Sequence, residues 1–303
     1  MLVPASSLKP RQGLIRMVFT ARLLGSSLGF LALVAWIPAA IAQSAETPAP
    51  EPTTLDSRLE TLESPLPEAL QQLLDRQISA ANAQDLETVM ATYHPEFKHE
   101  DGLSLDQMQE ATADLWGKHE NLNYEIAVKS WENRGPDLVA TLVTEVEGRQ
   151  KSARGSFRMS GLQEVRNHYR PNPENPDELL LLEQEVIRES YTLTSGEAPP
   201  TVTMKLPDIV ETGSTYALEA IVEEPLRNNV VLGTVIEEQI TAERYLQDSS
   251  YPLEPLQAGG LFRTADAPKQ PGKEWISVML VSQGGITLES RRITVTDQLI
   301  LDN

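Results

Sequence analysis

"NLNYEIAVKSW", residues 121–131, is the stretch on which the reading of the fold turns. Leu122, Tyr124, Ile126 and Val128 alternate with polar residues, the two-residue period of a strand with one buried face. The residues before it follow a different rule. In "GLSLDQMQEATADLWGKH", residues 102–119, Leu105, Met108, Ala111, Thr112 and Leu115 recur at helical spacing. Ser104 and Gln107 stand as a capping box at its start, and Gly117 is the expected stop. The chain therefore changes from helix to sheet within a few residues of Gly117.

Working upstream, Leu66, Leu70, Leu73, Leu74, Ile78 and Ala81 define one helix face, with Ser64 as the expected N-cap. A second short helix starts at the cap Asp85, carries Leu86, Val89, Met90 and Tyr93, and is expected to end at Pro95. Downstream, "DLVATLVTEVEG" (137–148), a long bent segment from 149 to 170, and "LLLLEQEVIRESYTL" (179–193) read as further antiparallel strands. Leu138, Ala140 and Leu142 lie on one face of their strand, and Val139, Thr141 and Val143 on the other. A sheet apolar on both faces needs cover on both. Helices are one cover, and a second subunit or the C-terminal part of the chain is the other.

Between helix and strand lies "ATYHPEFKHEDGLS", residues 91–104, with two of the four histidines and three carboxylates. A zinc-binding helix needs two histidines four apart on one face. His94 and His99 are five apart with Pro95 between them, so no metal site is expected here. As a strand, the stretch puts Phe97, His99 and Asp101 on the core side, with Asp101 near the rim, and Glu96, Lys98 and Glu100 in solvent. A carboxylate beside an imidazole can transfer protons if burial brings either pKa toward neutrality. The alternative for His99 is a core histidine with a satisfied hydrogen bond.

"DLETVMATYHPEFKHEDG", residues 85–102, with its acidic cap, apolar helix, aromatic residue and short strand ending in an acid and glycine, resembles the nuclear transport factor 2-like superfamily. That superfamily includes ketosteroid isomerases and SnoaL-like cyclases. The resemblance covers about 130 residues of the N-terminal half and is one of residue types. It implies a cone-shaped domain whose pocket acid or base is drawn from Tyr93, His99 and Asp101. Phe97, His99, Trp116 and Tyr124 would line the pocket, and dimerisation through the sheet is common in such domains. Together with the helix-then-strand order, it gives an α+β class for 64–196: a cone-like domain of three helices and a curved antiparallel sheet.

"SGEAPP", residues 195–200, reads as a boundary. Beyond it come short strands punctuated by Gly- and Pro-containing turns, the pattern of an all-β sandwich of immunoglobulin-like layout over 197–303. The N-terminus reads as an address. Lys9, Arg11, Arg16 and Arg22 precede the apolar run "LLGSSLGFLALVAWIPAAIA", which ends in Ala40-Ile41-Ala42. This is a secretory signal over 1–42 with cleavage after Ala42, giving a periplasmic or secreted protein. An uncleaved anchor is the alternative. Residues 43–63 are a Pro-rich linker.

The chain has 25 basic and 44 acidic residues and no cysteine. Without the four bases of the signal, 21 stand against 44, a net charge of −23. Such a chain repels phosphate backbones and anionic lipid heads, so no nucleic acid and no membrane beyond the signal is expected as partner. No thiolate ligand, glycine-rich phosphate loop, serine elbow or EF-hand loop is present, and no cofactor is expected. Against this acidity, Arg149, Lys151, Arg154, Arg158, Arg166 and Arg170 face the single acid Glu164. Cross-strand pairing with Glu145, Glu147, Glu183, Glu185 and Glu189 is the favoured reading, and an anion site the other.

The sequence leaves three functions open. The first is a non-catalytic protein binding a small apolar or amphipathic molecule, or a protein. The second is a cofactor-independent isomerase, dehydratase or cyclase. The third is a structural envelope protein whose interior is filled by Phe97, Trp116, Tyr124 and Trp131.

Overall fold

In the computed structural model, residues 18–22, 65–152, 155–224, 230–256 and 259–297 are described. Of the expected signal, 18–22 are described, as strand β1 (Val18–Arg22). The rest of the signal, the linker and Ser64 lie outside the described residues. Among those residues no helix is long and apolar enough to cross a membrane.

α1 (Glu68–Asn82) begins after Pro67 without a side-chain cap and buries Leu70, Leu73, Leu74, Ala80 and Ala81. The left-handed Gln84 turns the chain into α2 (Leu86–Met90), capped as expected by Asp85, which accepts from the Thr88 N–H and hydroxyl. α2 stops at Met90, before Pro95, because the chain is already extended from Tyr93 in β2 (Tyr93–His99). α3 (Leu105–Lys118) carries the full Ser104–Gln107 capping box. It runs through Gly117 rather than stopping there and ends on His119, whose Nδ1 donates to the Leu115 carbonyl at 2.8 Å.

Four long strands follow: β3 (His119–Arg134), β4 (Asp137–Ser152), β5 (Gly155–Pro171) and β6 (Leu179–Gly196). Then come β7 (Val202–Lys205), β8 (Ile209–Glu211), β9 (Thr215–Val222) and β10 (Leu232–Gln239). The last are β11 (Asp248–Pro252), β12 (Glu254–Pro255), β13 (Gly260–Asp266), β14 (Gly272–Val281) and β15 (Gly285–Thr296).

Eight strands form one path, β12-β10-β14-β15-β6-β5-β4-β3, with β2 joining β6 and β8 joining β15, both in parallel. β13-β9-β7 make a small second sheet, and β1 pairs with β11. This corrects the expected fold class, an α+β cone-like three-helix domain followed by an all-β sandwich. Helix is a minor part of the structure, α2 is five residues long, and one sheet of ten strands runs through both halves of the chain. The C-terminal strands extend this sheet edge to edge instead of covering its outer face.

The physical reason lies in β6. One edge pairs with β5 along its length. The other edge is shared: Leu181 to Gln184 pair with β2, and Ser190 to Gly196 pair with β15. A strand of 18 residues is long enough to serve both. Two glycines permit the close approach where β15 begins. A Cβ on Gly196 (φ +106°) would lie 2.3 Å from the Gly284 carbonyl oxygen, and one on Gly285 (φ +154°) 2.0 Å from that of Ser195.

Two apolar cores result. One lies between the helices and the sheet and includes Leu74, Phe97, Leu115, Leu142 and Tyr169, together with Tyr245 and Trp275 from the C-terminal half. The other lies between the small sheet and the sheet's opposite face, around Leu218, Ile276, Val278 and Leu280. β14 serves both, Trp275 and Met279 on one side and Ile276, Val278 and Leu280 on the other. It therefore reads as a continuous apolar run, as a strand covered on both faces should.

Candidate functional site

Residues 185–189 of β6 fall between its two partners, and the charged end of β2 fills that gap. The Val186 N–H donates to Glu100 Oε2 at 2.9 Å, a side chain standing in for a strand. Glu100 also meets Lys273 Nζ at 2.6 Å and Arg292 at 3.5 Å. Glu100 is exposed, as its alternation suggested, while its carboxylate reaches back to these partners.

Asp101 lies deeper. Its carboxylate takes both arms of the Arg292 guanidinium, at 2.9 and 2.5 Å, and accepts a further hydrogen bond from the Tyr245 hydroxyl. The Asp101 and Arg292 side chains are each 1% exposed, so this is a buried bidentate pair and not a rim residue. Arg292 Nη1 also lies 3.6 Å from Glu189, which accepts from the Trp275 indole N–H at 3.2 Å.

The protonation states follow from this packing. Burial pushes the Asp101 pKa up, but the Arg292 hydrogen bonds and charge, with His99 and the Tyr245 hydroxyl, outweigh it and hold the group below the usual carboxylate range. Burial raises Glu189 above that range, with Arg292 and Trp275 opposing. His99 is depressed to about 4, first by burial and then by Arg292, against the pull of Asp101. Its Nδ1 accepts the Asp101 backbone N–H at 3.2 Å, so the proton sits on Nε2. The 3.7 Å approach of Nδ1 to Asp101 Oδ2 is therefore not an ion pair. The buried Nε2 has no partner among the described residues.

Of the three acid/base candidates, the structure brings His99 and Asp101 together and leaves Tyr93 apart. Tyr93 packs edge-on against Phe97 with centroids 4.8 Å apart, and Phe97 stands between it and His99. Burial raises the Tyr93 hydroxyl pKa well above its ordinary value. Of the lining candidates, Phe97 and Tyr124 are buried and Trp116 donates its N–H to the Tyr124 oxygen at 3.0 Å.

Sequence reasoning missed Arg292, Tyr245, Glu189 and Lys273 as members of this cluster. One signal was present: in "ITLESRRITVT", Arg292 shares its side of the strand with the buried Leu288 and Ser290. An arginine in that register requires a buried acid.

The interior beneath the helices is polar at intervals. His99, Gln184 and Asn167 are cross-strand neighbours on β2, β6 and β5. Both Gln184 amide atoms, both of Gln163 and the Asn167 carbonyl are buried without a partner among the described residues. The cavity beside Gln163 and Glu189, walled by Leu115, Tyr124 and Thr144, is about 40 Å³. That is room for water, against roughly 300 Å³ or more for a small-molecule pocket. Among the described residues no cluster of three or more His, Asp or Glu could hold a metal.

A larger concavity lies elsewhere, an open groove of about 480 Å³ on the face of β3–β6 away from the helices. Glu147, Arg149, Arg158, Ser160, Thr192 and Thr194 border it. A second opening, about 330 Å³, lies near Gln270, Lys273 and Glu274.

The chain is thus a sheet-rich, two-core protein with an internal ion cluster and an open outer groove. Residues 197–296 match a family model described as a domain of unknown function (DUF8623). A conserved protein from Planctomyces limnophilus DSM 3776 is similar over 38% of this chain and 90% of its own, at 11% identity and a TM-score of 0.32. A ketosteroid isomerase-like protein from Erwinia carotovora atroseptica SCRI1043 is similar over the same shares, at 14% identity and a TM-score of 0.31. Bd1075 of Bdellovibrio bacteriovorus is similar over 39% of each chain, at 13% identity and a TM-score of 0.31, so the chain spans about two-fifths of that protein's length. No curated protein matches the chain.

Proposed function

We propose that this is an exported, non-catalytic binding protein that holds a small polar molecule in the groove on the outer face of β3–β6. One contrast carries this reading: the interior cavity beside Gln163 and Glu189 has about 40 Å³ and is lined by none of Tyr93, His99 and Asp101, whereas the outer groove has about 480 Å³. The candidate groups are also committed. Both Asp101 oxygens are taken by Arg292, and His99 is buried away from solvent. Export rests on the basic start, the apolar run and its small-residue end at Ala40-Ile41-Ala42.

Native mass spectrometry of the protein purified from a bacterial envelope fraction tests both parts. The reading expects a chain beginning at Gln43 and a small adduct that dissociates on activation. A chain retained in the cytoplasm contradicts export, and a bare chain contradicts binding. The small size of the cavity beside Gln163 and Glu189 also favours a second reading, a structural envelope protein, and a bare but exported chain is the outcome that supports it.

A further inference from the structure

We infer that the outer groove is an anion site, in which Arg149 and Arg158 together grip a tetrahedral oxyanion, a phosphoryl or sulfuryl group, carried by a small hydroxylated molecule. This rests on the proposed binding function and names the ligand's chemistry.

Arg149 and Arg158 are directly opposite each other on β4 and β5. Side chains so placed have Cβ atoms about 5 Å apart, and like charges there repel. The other arginines of the same strand are neutralised. Arg166 meets Glu185 at 2.7 Å, and Arg170 makes a two-armed contact with Asp137 at 2.8 Å on each arm. Among the described residues, Arg149 and Arg158 make no ion pair and no side-chain hydrogen bond, and both are exposed. Arg149 has one acid across from it, Glu120 on β3, but among the described residues no ion pair joins them, so two like charges face one another with no carboxylate bound to either.

The groove supplies what such a counter-ion needs. Two guanidinium forks offer bidentate N–H pairs matched to phosphate or sulfate oxygens. The cross-strand neighbours on the same face are short donors: Thr194 beside Arg158, and Ser160 and Thr192 in the adjoining row. Asn123 continues that row on the far side of Glu147. Glu147 is the acid in the lining, and as an acceptor it suits a ligand hydroxyl. The site thus fits an oxyanion attached to a polar body, in a volume suited to a small molecule.

The test is isothermal titration of the purified protein with inorganic phosphate and with pyrophosphate at low ionic strength, repeated on an Arg149→Gln/Arg158→Gln double variant. Arg166→Gln serves as the control, and thermal melts confirm that all variants fold. The expected result is saturable binding, weakened at least tenfold in the double variant and unchanged in the control. No saturable binding of either probe, or binding that the double variant retains, overturns the inference. A parallel arm separates this from the broader reading by asking what happens to an adduct carried from the envelope. If Ser160→Trp expels it while the double arginine variant keeps it, the groove binds but not through an anion. If neither variant affects it, groove binding fails as well.

Discussion

Asp101 and His99 stand two residues apart, yet their surroundings fix opposite charge states. Arg292 keeps the carboxyl ionised, and burial keeps the imidazole neutral. The His99 pKa of about 4 lies below its ordinary value, so between pH 6.5 and 4 the unfolded chain binds a proton that the folded chain does not. Stability is therefore expected to fall as pH drops through that window. A shift of this size is worth on the order of 3 kcal/mol. Glu189, whose pKa is raised, contributes with the opposite sign, so the His99 share is read as a difference. Urea unfolding of wild type and His99→Gln at pH 7 and pH 4.5 should show a smaller loss in the variant. Equal losses would mean that His99 is protonated in the folded protein.

At the scale of elements, much was legible because the signals are local. The Asp85 cap, the Ser104–Gln107 box and the alternation of 121–131 each act within a few residues, and each forms as read. Phe97 and His99 turn inward together for the same reason. What was not legible is pairing between distant segments. β6 and β15 meet across about ninety residues, and neither strand announces its partner. The sharing of one β6 edge by β2 and β15 hid the continuous sheet. It also hid the cluster, because Glu100 and Asp101 were read from their own strand alone.

The two glycines at the start of β15 test this junction. Gly285→Ala must either strain a positive φ or push against the Ser195 carbonyl. It should cost on the order of 2 kcal/mol. Hydrogen exchange should rise along Thr192–Gly196 and Ile286–Leu288 before it rises in the helices. Unchanged protection would argue against the close approach.

At the scale of the molecule, the sheet's outer face over β3–β6 is bordered by charged and hydroxyl side chains around the groove. A homodimer through that face would close the groove, so the binding reading goes with a monomer. Sedimentation at micromolar concentration should give the mass of one chain, and a dimer would count against an open site.

The continuous sheet and the Asp101–Arg292 pair make the two halves one cooperative unit. Removing one member of a buried ion pair leaves the other charge uncompensated, a loss of about 3–5 kcal/mol. Differential scanning calorimetry of wild type and Asp101→Ala tests it most directly. A single transition is expected in both proteins, lowered by roughly 10 °C in the variant. Two separate transitions in the wild type, or an unchanged midpoint in Asp101→Ala, would contradict it.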